Sequence, residues 1–502
     1  MDLSTAVSAT VSTLRRRPAD LLPFYLLGTA VPVVARMGLL VSLAGVYLHY
    51  ELSGRLGAVR DAFADADLAP PDVEDPEALE RWAEGLIPAF EPLLTPTAGA
   101  LLVAGLLATV LLAILTYAAV SAGQMSAVVA RLRSERGLTA GIAGVRERWV
   151  TFLGLYVAEF LLWVGVVLLA SVAIAVAFVI NPFLGAVVAL GAFLVGAVVL
   201  VAIRIVFAFA PASIVVDDAG VFGSLGGAGG FIRSNPADAA AYLVVAIGVT
   251  VAIASAASGL AFLGGGAVVA LISAVVVAPA LDLLKTVLYG DYRGTVDPVE
   301  PPAASLRSQF SGGVRRGWRE MVGFVARTPG THLFVVALGV GSGVVGWTIA
   351  EPFVGSVPTS IEARLADHIA PVATLEFFGN NWTVAISTAL GGVALVIPAL
   401  SAIVFNGVVL GGTAALEVNR EALLAFVIPH GVFEIPAIFV AGALGVHLGV
   451  VGWRTLRGRV SREGFADVLE NAFWVLMGVG ILLAIAAVIE GFISPYYWRP
   501  FL

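Results

Sequence analysis

Repeated apolar segments of about 20 residues or more constrain this chain most, because that is the length an α-helix needs to cross roughly 30 Å of hydrocarbon. Inside a bilayer no water satisfies the backbone N–H and C=O groups, so uniformly apolar runs of this length fold as helices. They lie at about 21–48, 98–130, 149–179, 184–213, 238–262 and 266–289, and then at about 330–350, 381–399, 400–416, 425–451 and 467–493. This pattern predicts an all-α polytopic integral membrane protein of about eleven transmembrane helices. Composition agrees: 59% of the 502 residues are hydrophobic and 13% are charged, where a soluble domain carries about 25% charged residues. Cysteine is absent, which excludes disulfides, thiolate metal sites and cysteine nucleophiles.

The composition shifts at 291–320, DYRGTVDPVEPPAASLRSQFSGGVRRGWRE, which is rich in Pro, Ser and Arg. Read as a cytoplasmic linker, it divides a six-span domain at 1–290 from a five-span domain at 321–502. Orientation follows from the rule that Lys and Arg stay on the cytoplasmic side. Arg15, Arg16 and Arg17 hold the N-terminus inside, and crossing at each span returns the basic clusters at 131–148, 293–327 and 454–462 to that side. The loops at 51–95 and 351–376 come out external; the first carries Asp61, Asp65, Asp67, Asp72, Glu74, Asp75, Glu77, Glu80 and Glu84. The tail PYYWRPFL is then external too, with Tyr496, Tyr497 and Trp498 as an interfacial belt. The pair 381–399 and 400–416 reads either as two spans or as a re-entrant hairpin around Pro398. No small-residue cleavage site follows a short apolar core at the N-terminus, so no cleaved signal peptide is expected.

Ionisable residues at membrane depth cost a few kcal/mol each and point to function. The apolar stretch FVIPHGVFEIPAIFVAGALG, 426–445, contains His430 and Glu434 together with Pro429 and Pro436. His430 and Glu434 are four apart and share one helix face. Pro436 deprives the Val432 carbonyl of its helical partner and predicts a kink beside them, with Pro429 as a second. Asn380 and Asn381 in FFGNN, Asn406 in FNGVVLGG and Glu490 in AAVIEGFISP interrupt the neighbouring spans. On the topology above, His430, Glu434, Asn380, Asn381 and Glu490 fall in the outer half of the membrane and Asn406 nearer its middle. One reading is a hydrophilic pocket for a proton, a cation or a polar headgroup, with Glu434 and Glu490 as its acids. The other is interhelical hydrogen bonding, worth about 0.6 kcal/mol per bond; Glu490 also reads as a solvated boundary carboxylate. One His and two Glu can make a zinc site with an open position, but His-x-x-x-Glu is not the metalloprotease pattern. His332, His368 and His447 have no matching partner, so no metal or cofactor is assigned.

In the first half, Arg204 and Lys285 reach back to the cytoplasmic boundary, Asp282 and Lys285 are placed to pair, and Arg36 and Glu159 lie deeper as a candidate buried pair. The glycine runs GGAGG and 264–266 lack the Lys-Ser/Thr of a phosphate loop. Neither a nucleic-acid motif nor a catalytic motif is present, so no enzyme is expected.

GNN (379–381), NG (406–407) followed by LGG, PHGVFEIPAIFVAGALG (429–445) and IEGFISP (489–495), in that order, resemble the stage II sporulation protein M family of integral membrane proteins over about 325–495. By that resemblance Asn380, Asn381, Asn406, His430, Glu434 and Glu490 occupy the family's polar motif positions. The family's namesake works with a peptidoglycan hydrolase and a partner membrane protein during engulfment, which implies a non-enzymatic role at the cell envelope. The N-terminal six spans depart from the family; they loosely resemble multi-span domains attached to some glycerophosphodiester phosphodiesterases, without their catalytic part. Such a fusion suggests an archaeal member. The expectation is a multi-pass protein of the cell membrane that scaffolds or recruits an envelope partner, or a second copy of itself. The alternative is an ion or proton channel, or a small-solute transporter, that uses the outer-half pocket.

Overall fold

Helices are the regular structure of the computed structural model, with one isolated bridge between Thr359 and Glu417. It describes all residues except 66–75, 262–265, 297–300, 356–358, 367 and 500–502. Asp67, Asp72, Glu74 and Asp75 of the acidic loop, and glycines 264 and 265, therefore lie outside the described residues.

Among those residues, 10 helical stretches are long and apolar enough to cross a membrane. After α1 (Leu3–Arg16) comes a rod broken at Arg36, made of α2 (Leu22–Ala35) and α3 (Met37–Leu52). Two short helices, α4 (Arg55–Asp65) and α5 (Pro76–Phe90), belong to the acidic loop. The long hairpins α6 (Pro96–Leu132), α7 (Gly137–Ile180) and α8 (Pro182–Val216) follow. Thr95 and Asn181 cap α6 and α8, and Pro at the first helical position costs no hydrogen bond. The first half closes with α9 (Val221–Ser234), α10 (Pro236–Ala261), α11 (Gly266–Ile272) and α12 (Ala278–Tyr292), the last two joined by a π-turn at Ser273–Val277.

The second half contains α13 (Leu306–Arg327), α14 (Pro329–Ala350), α15 (Ile361–Arg364), α16 (Ala370–Gly391), α17 (Ile397–Leu416), α18 (Arg420–Leu456) and α19 (Arg462–Phe492). Much of the 291–320 linker is thus the start of α13, which continues past it to Arg327. The span expected at 381–399 is α16, which begins at Ala370 and has Glu376, Asn380 and Asn381 in its middle. At 22 residues it is long enough to cross, but it is less apolar than the other ten. The break between α16 and α17 falls at 392–396, where Leu395 and Val396 take φ of 61° and 71°, a strained conformation for a β-branched residue. Pro398 therefore sits in the first turn of α17 and does not end a span. Backbone crossing fixes the break there: Gly392, Gly445 and Gly449 approach so closely that none has room for a Cβ. α16 packs on α19, α2 and α18, while α17 packs along α14.

Ion pairs define one end of the bundle. Met1 meets Asp291 at 2.6 Å, Arg136 meets Asp467 at 2.5 Å, Arg316 meets Glu470 at 3.2 Å and Arg462 meets Glu147 at 3.4 Å. These contacts gather the N-terminus and every Arg-rich loop, and they tie the first half of the chain to the second. One continuous core joins the halves as well, with Phe24 and Phe152 in the same cluster as Leu390, Leu448 and Phe473. Outward faces are apolar, as at Val179 and Phe183 on the α7–α8 hairpin, a surface that suits lipid and not water.

Of three local expectations, the first is met and the other two are not. Lys285 pairs with Asp282 at 2.6 Å, and Tyr25 donates to the same carboxylate. Glu159 pairs with Arg204 at 3.1 Å and not with Arg36, because the α7–α8 hairpin brings residues 159 and 204 level. Trp498 is not part of a lipid-facing belt: it is buried against Ile361, Leu365, Ala422 and Phe426, since its ring N–H donates back to the Ser494 carbonyl and folds the tail over α18.

Candidate functional site

Two helices and the C-terminal turn build the most unusual polar group of the chain. α18 carries His430 and Glu434 one turn apart, and its antiparallel neighbour α19 carries Glu490 in its last turn. One ligand atom from each of the three lies within 4.8 Å of the other two. His430 is 5% exposed and Glu490 9%; Glu434 is partly buried.

α18 keeps a helical course across Pro429 and Pro436, and the structure shows how the first is accommodated. Pro429 has no N–H to give the carbonyl of Ala425, and the Tyr497 hydroxyl donates to that carbonyl at 2.6 Å. The same tail segment sets the histidine. Ser494, fully buried, lies 3.1 Å from His430 Nδ1, and the Phe426 ring packs edge-on to the imidazole. Nε2 is thereby directed toward Glu490 Oε1 at 3.9 Å, too far for a hydrogen bond. That gap is a little shorter than two metal–ligand bonds of about 2.0–2.2 Å laid end to end. Glu490 Oε2 is buried and has no hydrogen-bond partner among the described residues. At Gly491, next to it, α16 crosses so closely that a Cβ would strike Thr374 Oγ1, which closes that side.

The asparagines do not join this group. Asn380 donates to Asn381 at 3.2 Å, and their neighbour Trp382 donates to the Leu476 carbonyl, about four turns along α19 from Glu490. Asn406 is exposed and returns its amide to the Ala402 carbonyl of its own helix at 2.8 Å. Among the other histidines, His368 reaches the Gly491 carbonyl at 2.7 Å, and His447 stacks edge-on against Phe324.

Sequence reasoning missed three residues. Ser494 and Tyr497 orient the histidine and repair the helix; the signal for Tyr497 is the free carbonyl four residues before Pro429. Glu417 has a side chain with 0% exposure, and it accepts from the Ile361 N–H at 2.9 Å and the Thr359 hydroxyl at 3.2 Å while pairing with Arg364 at 2.9 Å. It ties the 359–364 turn to the end of α17.

Three side chains, one imidazole and two carboxylates, that suit both protons and metal ions, gathered at membrane depth with one carboxylate oxygen unsatisfied among the described residues, make a site able to hold a cation. Residues 331–495 match the family model for stage II sporulation protein M, and residues 1–290 match that of a domain of unknown function (DUF7847). No curated protein and no solved structure matches the chain. The chain belongs to the DUF7847 family through its N-terminal domain and carries, fused behind it, a membrane domain of the stage II sporulation protein M family.

Proposed function

We propose that the C-terminal domain binds a cation between His430, Glu434 and Glu490, and that the protein conducts or transports it. The observation that carries this reading is Glu490 Oε2, buried without a hydrogen-bond partner among the described residues and beside a second carboxylate. Two carboxylates this close, away from water, repel strongly unless a positive charge sits between them. A group kept only to hold helices together would be served by an amide. The test is flux in proteoliposomes, with protons, sodium and a divalent metal measured separately. Wild type conducts one of them and Glu434→Gln does not; absence of flux in a folded, correctly inserted wild type overturns the reading.

By the same proposal the arginine-rich end faces the cytoplasm and the cluster opens toward the outside. Because the chain has no cysteine, single introduced cysteines report sidedness directly. An impermeant maleimide labels Glu51→Cys in intact cells and leaves Ser305→Cys unlabelled; the reverse pattern inverts the topology.

A second reading, a scaffold that recruits an envelope partner, is favoured by Asn406. It sits exposed among Val404, Phe405 and Val409 on the outer face of α17, where a polar residue suits a helix interface better than lipid. Affinity purification that returns no reproducible membrane partner, from either wild type or Asn406→Leu, removes this reading.

A further inference from the structure

At the arginine-rich end, a cavity of about 590 Å³ lies where the two domains meet. Its walls come from residues 14–20 and Arg136 of the first domain, from Gln309 and Arg316 of α13, and from Glu470 and Trp474 of α19. Five arginines line it, Arg15, Arg16, Arg17, Arg136 and Arg316, against two carboxylates, Asp20 and Glu470.

Both carboxylates are already engaged. Asp20 accepts from the N–H groups of Gly137 and Leu138 at 2.9 and 3.1 Å and faces Arg131. Glu470 pairs with Arg316 at 3.2 Å and lies 3.7 Å from Arg136, and Trp474 holds the Arg316 guanidinium over its ring at 4.4 Å. Arg15 is turned toward Gln309 and the Ala304 carbonyl. Arg16 and Arg17 are exposed and have no side-chain hydrogen bond or ion pair among the described residues. Arg16 is placed to complement the C-terminal end of the α1 dipole, but Arg17 lies beyond the helix. Their positive charge is thus left over in a concave site whose remaining guanidinium groups are held in place.

α13 adds a second feature. Leu306, Phe310, Trp318 and Val322 are exposed along it, Phe310 to 73%, with Arg307, Arg315 and Arg319 between them. Exposed apolar residues interleaved with arginines characterise a helix lying in a bilayer surface, with its charged side at headgroup level.

We infer that this cavity binds a phosphate-bearing anion, supplied by an anionic phospholipid headgroup or by a soluble phosphate compound. Planar guanidinium groups pair with phosphate oxygens two at a time, which a convergent set of arginines allows. Because the walls come from both domains, an occupant ties α1 to α13 and α19 and raises the stability of the whole chain.

The test follows thermal unfolding of the full-length protein in detergent during titration with phosphatidylglycerol, phosphatidylcholine or inorganic pyrophosphate. In wild type the midpoint rises with phosphatidylglycerol, pyrophosphate or both, at concentrations where phosphatidylcholine has no effect. A response to phosphatidylglycerol alone assigns the site to lipid; a response that includes pyrophosphate assigns it to soluble phosphate as well. The double variant Arg16→Gln/Arg17→Gln needs roughly tenfold more ligand or higher for the same shift. Arg233→Gln/Arg459→Gln, which removes two arginines elsewhere on the same end, leaves the titration unchanged. No anion-dependent shift in wild type, or equal losses in the two double variants, overturns the inference.

Discussion

At the arginine-rich end Asp20, 5% exposed, accepts two backbone N–H bonds and faces Arg131 across 3.5 Å, whereas at the opposite end Glu490, 9% exposed, leaves Oε2 without a hydrogen-bond partner among the described residues. Asp217 follows the first pattern: Tyr289 and Ser213 donate to it and Arg293 pairs with it at 2.7 Å. The difference is not one of depth or of side, because Glu417, at the same end as Glu490, is as well satisfied as Asp20. A carboxylate that this chain uses for structure collects its donors from backbone N–H groups or hydroxyls and from arginine. One left short beside a second acid and a histidine is open to a ligand.

Removing a satisfied carboxylate should be costly, and Glu417→Ala is the largest effect expected. It strands the Ile361 N–H and the Thr359 hydroxyl and leaves Arg364 unpaired, so stability falls by about 3 kcal/mol. Chemical denaturation in detergent reads this, and a loss under about 1 kcal/mol would blur the contrast with Glu490. Asp20→Ala comes next. It removes a distant cap from the first turn of α7 and uncovers buried Arg131, at a cost of about 2 kcal/mol. Asp20→Asn, which keeps one acceptor for the α7 N–H groups, should recover part of that loss in the same measurement.

The approach of His430 and Glu434 to Glu490 is visible in the sequence because α18 and α19 are antiparallel neighbours, and counting residues from their ends places all three at one depth. Depth says nothing about the direction a side chain faces. Asn406 shares the apolar span but points outward, and Asn380 donates to Asn381 about two turns along α16 from Thr374, where that helix meets α19 beside Glu490. The positions of most spans are equally visible, since hydropathy needs only length. The start of α16 is not, because its polar middle lowers the signal, and its end is set by a backbone crossing at Gly392 and Gly445 that no local pattern reports. The role of α13 is hidden by its polar average, although Leu306, Phe310, Trp318 and Val322 recur along it at intervals of four, eight and four residues.

Tyr497→Phe probes how the cluster is supported. The hydroxyl supplies the hydrogen bond that Pro429 cannot make to Ala425, so its loss leaves a helix carbonyl unsatisfied and costs about 1 kcal/mol. The variant Pro429→Ala restores a backbone donor at that position. In that background Tyr497→Phe should cost measurably less, and additivity of the two changes in a double-mutant cycle would show that the tail does not compensate for the proline.

The smallest effect on stability, and the one that decides most, is expected for Glu490→Gln. The amide removes a buried charge whose second oxygen has no partner among the described residues, so no hydrogen bond they make to it is lost and one source of repulsion with Glu434 disappears. Stability should stay within about 1 kcal/mol of wild type or rise, in line with the behaviour of buried charges replaced by neutral groups. Cation flux, by contrast, should fall as it does for Glu434→Gln. A variant destabilised as strongly as Glu417→Ala would place Glu490 among the structural carboxylates. A variant with wild-type stability and wild-type flux would leave the unpaired oxygen without a function in conduction. Loss of flux at unchanged stability is the combination that only a ligand site produces, because a residue that held the helices together could not be neutralised without weakening them.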